Sequence, residues 1–312
     1  GQEWIGLLPE TRAEERVDTV RFNVAPNLYA SSRTASIRLL NDRREVLERF
    51  SVTQRMNHTS SALIPFADSK VESICVANFD ENGDGALSIS EAGKVETIST
   101  LFKENRDIRS FEELQHFIGL KTIPENAFKS CTNLTAIKLP ESIVSIGDYA
   151  FSSCSSLQGV ELPFGVLKLG KEVFRSCTKL SYIVLPESIV NVGSSALAYC
   201  SSLKSVCLPK WLDVIPDYLL SGCSSMQTDE LPYNLVSIGE GEFDACYKLE
   251  SAVLPSTTKS IGRYAFNDCS MLGEVIFNEG LEIIGYGAFD SCSSLRKVEI
   301  PNTVKVLGYR VF

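Results

Sequence analysis

The sequence predicts a mixed fold whose larger part is a solenoid of 23-residue repeats, preceded by a small β-sandwich and a short helical segment. Three regularities support this prediction. Large apolar residues recur every 23 residues, at Phe128, Phe151, Phe174, Leu197, Leu220, Phe243, Phe266, Phe289 and Phe312. Cysteines keep the same step from Cys131 to Cys292, and a leucine or methionine follows each of them three residues later. A phase held over so many copies indicates a repeat architecture.

The N-terminal element, residues 1–56, alternates apolar and polar residues over 17–24, 34–39 and 50–54. Turn residues at Pro26-Asn27 and Asn41-Asp42 separate these runs, so they are predicted to be the strands of a small β-sandwich. The stretch resembles the C-terminal part of the BACON domain at Trp4, Asn27, Arg33-Thr34-Ala35 and Val52-Thr53-Gln54. That resemblance implies an extracellular module for which carbohydrate binding has been suggested, although we favour a spacer here. Residues 57–70 are interpreted as a linker.

The next element, residues 71–116, contains a candidate calcium loop from Asp80 to Glu91. The residue types match the EF-hand pattern, in which side-chain and carbonyl oxygens at fixed positions surround Ca²⁺ and a glycine permits a sharp turn. The predicted ligands are Asp80, Asn82, Asp84, Ala86 through its carbonyl, Ser88 and Glu91. The loop resembles EF-hand and dockerin-type loops, and we expect its calcium to be structural. The alternative is an Asp/Asn/Gly turn that binds nothing.

A second, degenerate loop is predicted at 105–113. Ile108 is expected to pair with Leu87, and Ser110 with Glu113 to form a capping box for a helix over 111–117. The segment 71–119 carries 10 acidic and 4 basic residues, net -6, so most of the whole-chain charge of -9 lies where a divalent cation would be held.

The last element, residues 117–312, is the solenoid. Each unit has the pattern L-x-x-V-x-L-P, as in Leu157, Val160, Leu162 and Pro163. The alternation predicts a short strand, which proline ends because it lacks an N–H. A second apolar set is expected to form a helical or irregular return path, and a glycine such as Gly147 begins it. Proline replaces that glycine at Pro216, so the position is expected to have a negative φ.

One unit cannot bury its own apolar face, and stacking joins the strands into a parallel sheet with rungs about 4.8 Å apart. The motif F-x-x-C-x-x-L-x-x-V-x-L-P closely resembles the BspA-type leucine-rich-repeat family of surface proteins of Bacteroides-like bacteria. The resemblance implies an extracellular or cell-surface location, with a lipid-anchored precursor, and a role in adhesion. The chain starts at Gly1 and stops at Phe312 within a repeat, so we expect further segments, a signal segment among them, beyond these limits.

The cysteine column is interpreted as buried, reduced and structural. Thiols in a row suit neither disulfide geometry nor a tetrahedral metal site. Cys75 and Cys207 lie outside the column. The chain has only His58 and His116, and strand spacing puts His116 about 19 Å from Cys207. A nucleophile and its base must approach within about 3 Å, so we expect no catalysis.

A ligand-binding patch is predicted where aromatic or apolar residues occupy repeat positions that are polar in most other copies. Its members are Phe164, Tyr182, Val184, Trp211 and Tyr233. Aromatic side chains suit sugar stacking and protein hot spots, although repeat drift would also leave single apolar residues exposed. At one buried position Asp229 and Ala252 replace valine or isoleucine. A strand bulge is expected at Asp229, because a buried lone carboxylate is costly.

These features predict a non-enzymatic surface or secreted adhesion protein that presents its solenoid to a host surface or matrix protein, or to a glycan. A carbohydrate-capture protein that uses the β-domain and the aromatic rim is one alternative, and a structural spacer is another. The net charge of -9 opposes nucleic acid as a partner, because phosphate binding needs a basic surface. No apolar run approaches the ~20 residues that span a bilayer, and a monomer is favoured.

Overall fold

The computed structural model describes residues 62–227 and 231–312, and the backbone of four strands before them. These strands are β1 (Ile5–Leu7), β2 (Phe22–Val24), β3 (Arg33–Leu40) and β4 (Val46–Gln54). β1 pairs antiparallel with β2, and β3 pairs antiparallel with β4. The predicted strands therefore exist close to their expected positions. The predicted packing of these strands into a sandwich depends on residues outside the described ones, so it stays a prediction.

Two helices enclose the candidate calcium loop, namely α1 (Ser69–Phe79) and α2 (Ile89–Lys94). Asp68 caps α1, because its Oδ1 accepts the N–H groups of Lys70 at 2.9 Å and Val71 at 3.3 Å. Ser88 and Glu91 form a capping box at the start of α2. Neither helix is long and apolar enough to cross a membrane, and the same holds for the rest of residues 62–227 and 231–312.

The segment before α1 is not a linker as far as it is described. Ile64 is buried, and its N–H donates to the carbonyl of Leu87 at 2.9 Å. The ring of Phe66 lies 6.4 Å from the ring of Phe111. Residues 62–68 therefore pack onto the same core as the first solenoid rungs, and the interpretation of 57–70 as a linker is wrong for this part.

The strands after α2 are short and parallel. In chain order they are β5 (Ser110–Phe111), β6 (Thr122–Ile123), β7 (Ala136–Ile137), β8 (Ser145–Ile146), β9 (Lys168–Leu169), β10 (Tyr182–Val184), β11 (Asn191–Val192), β12 (Ser205–Cys207), β13 (Val214–Ile215), β14 (Ser237–Ile238), β15 (Ser251–Val253), β16 (Ser260–Ile261), β17 (Glu274–Ile276), β18 (Ile283–Ile284) and β19 (Val306–Leu307). A 3-10 helix, Glu112–His116, follows β5.

These strands form two ladders along the solenoid. The first ladder contains the predicted L-x-x-V strands and consists of the pairs β5–β7, β10–β12 and β15–β17. The second ladder has two longer runs, β6-β8-β9-β11 and β13-β14-β16-β18-β19. The return path is therefore a strand where a short helical turn was expected, while residues 158–162 form no strand. The prediction of a leucine-rich parallel solenoid is confirmed, but its better-paired ladder is the second one.

Where a glycine follows a second-ladder strand it has no positive φ, as expected from the proline at 216. Its role is to allow a close approach between rungs. A Cβ on Gly193 would lie 2.4 Å from the carbonyl carbon of Gly170, which is closer than real side chains come. Pro216 stands at this position where the second ladder is interrupted, between β11 and β13.

A turn follows that glycine in every unit, and it places two residues four apart in the left-handed region. Examples are Tyr149 with φ 59° and Ser153 with φ 63°. Their N–H groups donate to the next rung, to the carbonyls of Lys171 at 2.8 Å and Arg175 at 2.7 Å. The turns thus form a further column of inter-rung hydrogen bonds, which stabilises a conformation that costs non-glycine residues about 1–2 kcal/mol each.

The core lies between the ladders and the turns. Parallel phenylalanine rings fill it, with Phe128 and Phe151 stacked at 5.2 Å and Phe266 and Phe289 at 5.1 Å. The eight laddered cysteines are buried, which confirms the prediction of their burial. Each thiol donates to a carbonyl of the preceding rung, as Cys154 does to Phe128 at 3.0 Å.

Candidate functional site

The candidate calcium loop is tightened by hydrogen bonds to its own acidic side chains. Asp80 accepts the N–H of Gly83 through Oδ1 and the N–H of Gly85 through Oδ2, both at 2.8 Å. Asn82 accepts the N–H of Asp84 at 2.7 Å. Both glycines have positive φ, 74° at Gly83 and 85° at Gly85, so the chain makes the sharp turn that the sequence predicts.

Glu91 closes the other end of the loop. Its Oε1 lies 3.2 Å from the N–H nitrogen of Glu81 and 3.3 Å from that of Asn82. Its Oε2 accepts the hydroxyl of Ser88 at 2.7 Å and the N–H of Ser88 at 2.9 Å. The Ser88 hydroxyl contributes most to lowering the pKa of Glu91, and the backbone donors add to this while burial opposes it. Glu91 is therefore held as a carboxylate in contact with both ends of the loop.

The donor types suit Ca²⁺, which prefers carboxylate, amide and carbonyl oxygens. Backbone N–H groups hold the oxygens of Asp80, Asn82, Asp84 and Glu91 within the loop. Within residues 62–227 and 231–312, however, no three His, Cys, Asp or Glu side chains lie close enough together to hold a metal ion. The loop thus has suitable oxygens and a suitable backbone, while its carboxylates are not drawn together.

The predicted second loop has a different structure. Leu87 pairs through its backbone with Ile64, whereas Ile108 is buried in the core without that pairing. Ser110 belongs to strand β5, so it cannot cap a helix over 111–117, and the capping box is wrong. Oε1 of Glu113 instead accepts the N–H of Ala67 at 2.9 Å. Residues 109–111 are the first rung of the first ladder, so the repeat stack begins before residue 117.

All five residues of the predicted patch are exposed, but the fold divides them into two groups. Tyr182 and Val184 flank the buried Ile183 on β10, in the first ladder. Phe164, Trp211 and Tyr233 lie on the turns that lead into the second ladder. The prediction that these positions are solvent-facing is confirmed, whereas their ladder positions do not support one continuous patch of five.

The second ladder carries exposed apolar residues beside the latter group, and sequence reasoning missed them. We call the combined surface the apolar face. It consists of Phe164, Leu167, Val190, Trp211, Val214, Tyr233 and Val236. Val190 is the most exposed of them at 68%, and its N–H donates to the carbonyl of Leu167 on the preceding rung. The face covers four consecutive rungs, or about 14 Å along the solenoid.

Trp211 joins two of these rungs at the interruption of the second ladder. Its indole Nε1 donates to the carbonyl of Glu187 at 2.8 Å, and the N–H of Lys210 donates to the carboxylate of Glu187 at 3.1 Å. The side chain therefore bridges the point where β11 and β13 are not hydrogen-bonded. Its remaining surface, 36% of the residue, faces solvent within the apolar face.

A signal for the missed residues was present in the return path. Two positions before its buried residue, the copies contain Val144, Leu167, Val190 and Val236, but Asp213 in the copy between the last two and Lys259, Glu282 and Lys305 near the C-terminus. This apolar column is visible in the sequence, although strict strand alternation would place it on the same face as the buried residue two positions later.

Cys207 is the one exposed cysteine of the chain, on the outer side of β12, and its Sγ lies 3.7 Å from the hydroxyl oxygen of Tyr182. His116 is buried at the other end of the stack, and His58 lies outside the described residues. Asp229 also lies outside them, so the expected bulge stays a prediction. Ala252 is buried and pairs in regular register with Val275.

Known proteins resemble this chain mainly through its repeats. The family model described as BspA type leucine rich repeat region matches residues 96–227 and 191–312, in six copies. No curated protein matches the chain.

Solved structures also align with the chain. A leucine-rich repeat protein from Bacteroides ovatus is 22% identical and covers 68% of this chain and 78% of its own, with a TM-score of 0.46. The leucine-rich repeat protein of T. pallidum is 34% identical over 45% of this chain and 70% of its own, with a TM-score of 0.38. A leucine rich cell surface protein from Faecalibacterium prausnitzii is 19% identical over 54% and 62%, with a TM-score of 0.34.

Proposed function

The chain belongs to the BspA-type leucine-rich-repeat family, and we propose that it is a non-enzymatic adhesion protein that binds a host surface or matrix protein through its apolar face. The family is one of bacterial surface repeat proteins. We propose a location at the bacterial cell surface or outside the cell, with a lipid-anchored precursor.

The observation that carries this proposal is the apolar face itself. Val190, Tyr233 and Phe164 are each more than 60% exposed, at 68%, 62% and 61%. Exposed apolar surface that extends over several residues of a soluble protein marks interaction sites. Removing such surface from water is favourable by about 25 cal/mol per Å². Three aromatic side chains in this face add the residue types that dominate protein hot spots. The strands beneath them, with the Trp211–Glu187 hydrogen bond where the second ladder is interrupted, position these side chains before binding and lower its ordering cost.

The test is an array of host matrix proteins and glycans probed with the full chain. We expect a specific protein hit whose affinity falls at least tenfold in Val190→Glu, since a buried unpaired carboxylate is costly. Trp211→Ala and Tyr233→Ala should weaken the same interaction. Met271→Glu is the matched control, because Met271 is also exposed but lies outside the apolar face.

Other outcomes distinguish the alternatives. A glycan hit that Phe164→Ala and Tyr233→Ala abolish would support carbohydrate capture by the aromatic rim. A glycan hit that none of these variants changes would direct attention to residues 1–56. Silence across the array, with the full chain folded, would favour a structural spacer and contradict the adhesion proposal.

We also propose that the loop from Asp80 to Glu91 binds Ca²⁺ in a structural role, through Asp80, Asn82, Asp84, the carbonyl of Ala86, Ser88 and Glu91. The hydrogen bonds that Asp80 and Glu91 accept from the loop backbone support this, because they keep both carboxylates facing the same short segment. Binding requires the carboxylates to approach one another. Its effect would be to join α1 to α2 beside the first rungs.

Calcium titration by calorimetry and by thermal unfolding tests this second proposal. We expect one site per chain and a melting temperature that rises with calcium, because a ligand that binds only the folded state stabilises it. Glu91→Gln should abolish both effects. The control is Glu96→Gln on the exposed Glu96, and an unchanged calcium response in Glu91→Gln would refute this ligand set.

A further inference from the structure

A cavity of about 620 Å³ opens in the first ladder near its C-terminal end, away from the apolar face. Its walls are β17 with the residues around it, from Gly273 to Glu279, and the next rung, from Arg296 to Asn302. The volume is within the range of ordinary ligand pockets, about 300–1,000 Å³.

The cavity exists because one rung of the first ladder has separated from the next. By the 23-residue register, Lys297, Val298 and Glu299 would pair with Glu274, Val275 and Ile276. In the structure β17 pairs only with β15, and residues 296–300 form no strand. Within the described part of the chain, no backbone hydrogen bond joins residues 273–277 to residues 296–300.

The same two rungs remain joined in the second ladder and at the turns. In the second ladder β18 pairs with β19. On the turn side, the N–H of Phe289 donates to the carbonyl of Val311 at 2.7 Å. The thiol of Cys292 donates to the carbonyl of Phe266 at 3.0 Å. The opening is therefore a slot confined to the first ladder and held at its ends by a rigid frame.

We propose that this slot binds one extended peptide strand, which adds to the free edge of β17. An unpaired parallel edge presents backbone N–H and C=O groups that favour pairing with another strand. β15 already occupies the opposite edge of β17 in this way, with Ser251, Ala252 and Val253 opposite Glu274, Val275 and Ile276. The slot supplies the same pairing geometry on the other side.

The walls determine the side chains that the peptide must carry. Val275 lines the β17 wall and is buried at 7% exposure, so the residue of the added strand that lies beside it must be apolar and fit a core. Its two neighbours point outward, beside Glu274 and Ile276, because side chains alternate along a strand. A second apolar residue suits the position next to Ile276. The required pattern is thus polar, β-branched, apolar, as in the strand Tyr182-Ile183-Val184 of this protein.

Charged side chains line both walls of the slot. Glu274 and Glu279 line the β17 wall, whereas Arg296, Lys297 and Glu299 line the separated one. Lys297 is paired with Glu299 at 2.7 Å. No ion pair of Arg296 is found among the described residues, so this side chain is available to a carboxylate of the peptide.

The test uses the full chain and a fluorescein-labelled peptide that copies residues 180–186, Leu-Ser-Tyr-Ile-Val-Leu-Pro, with two added lysines for solubility. Saturable binding by fluorescence anisotropy is expected, together with slower hydrogen exchange at residues 274–277 when the peptide is present. The control peptide, Leu-Ser-Ile-Tyr-Leu-Val-Pro with the same lysines, reverses the inward and outward positions. It should bind at least tenfold more weakly, since a one-residue shift turns every side chain to the wrong face.

A matched pair of variants locates the site. Ile276→Arg removes the outward apolar neighbour of the added strand and should weaken binding about fivefold, as expected for one cross-strand pair. Val253→Arg makes the same change in the same column, one rung further from the slot, and should leave affinity unchanged. Both side chains are exposed, at 48% and 59%, so neither change disturbs the core.

Three results would overturn the proposal. The first is an absence of saturable binding up to millimolar peptide. The second is equal binding of the two peptides, which would indicate nonspecific attachment to an acidic protein. The third is full exchange protection of residues 274–277 in the free protein, since it would mean that the chain's own residues 297–299 close the slot.

Discussion

At the scale of single residues, the turns show which side chains can occupy the same left-handed position on neighbouring rungs. The left-handed positions Tyr218, Gly241, Tyr264 and Gly287 alternate between tyrosine and glycine on successive rungs. A Cβ on Gly241 would lie 2.3 Å from Cε1 of Tyr218, and the Tyr218 ring is held because its hydroxyl donates to Glu240 at 2.6 Å. Glycine is needed there both for its φ of 58° and for the space that the ring takes.

We therefore expect Gly241→Ala to lower the free energy of unfolding by about 2 kcal/mol or more, since left-handed strain alone costs about 1–2 kcal/mol. The double variant Tyr218→Ala/Gly241→Ala should recover part of the loss by removing the clash. Urea unfolding measures both, with Gly159→Ala as control, because a Cβ on Gly159 meets nothing within 4 Å. Equal losses in the single and double variants would show that the ring contact is unimportant.

The cysteines allow a second prediction at this scale. Burial raises the pKa of the Cys200 and Cys292 thiols to about 12, and it raises the pKa values of Cys154, Cys177 and Cys246 as well. A thiol must ionise and be reached by a reagent to react. Ellman's reagent at pH 8 should thus modify one thiol per native chain, Cys207, and ten after unfolding. Cys207→Ser should remove the native reaction, and rapid modification of further thiols would contradict the buried column.

At the scale of elements, Asp68 connects the helical segment to the first rung. Its Oδ1 caps α1, while its Oδ2 accepts the N–H groups of Arg109 at 2.6 Å and Ser110 at 3.3 Å. Burial raises the pKa of Asp68, but the four backbone N–H groups outweigh it and the pKa is lowered below 3.8. One carboxylate therefore holds the start of a helix beside the start of a β-ladder.

Asp68→Ala should destabilise the protein by about 0.5–2 kcal/mol at neutral pH, the usual range for loss of an N-cap. A folded-state pKa below the unfolded value contributes stability above the unfolded pKa, and this is lost as pH falls through the folded pKa. The difference between wild type and Asp68→Ala should thus shrink below about pH 4. Thermal unfolding from pH 7 to pH 3 tests this, with Asp107→Ala as control, and a pH-independent difference would contradict the role of the carboxylate.

At the scale of the whole molecule, the solenoid consists of two stacks joined at a weaker centre. Phenylalanine rings stack from Phe102 to Phe174 and again from Phe243 to Phe312, whereas Leu197 and Leu220 occupy the positions between. The second ladder is interrupted in the same place, between β11 and β13, where Pro216 has no N–H to donate. Coupling between neighbours is what makes a repeat array unfold as one unit.

Hydrogen exchange in increasing urea should accordingly resolve two unfolding units, one on each side of residues 193–216. Phe151→Ala should lower the stability of the N-terminal unit by about 3–5 kcal/mol, and Phe266→Ala should do the same for the C-terminal unit. Pro216→Gly restores the backbone N–H donor and the small residue found at this position in the neighbouring rungs. The two units should then unfold at more similar urea concentrations. A single transition in the wild-type protein would mean that the turn column alone couples all the rungs.

The sequence alone determined the repeat, its register, the buried cysteines and the exposure of the five predicted patch residues. Each of these follows from a period that any stacking of identical units must respect. It also located the strands of the N-terminal segment and the turn around Asp80. Local alternation and turn chemistry sufficed for those, because they depend on neighbouring residues only.

Only the tertiary structure decided which strands pair and where pairing fails. The apolar face with Val190 at its centre, the cavity beside β17 and the interruption at Pro216 all depend on contacts between residues 23 apart. Such contacts vary from rung to rung while the sequence period stays the same. The packing of residues 62–68 and the contact of Asp68 with Ser110 could not be predicted from the sequence either. A short segment without a repeat contains no pattern that identifies its distant partner.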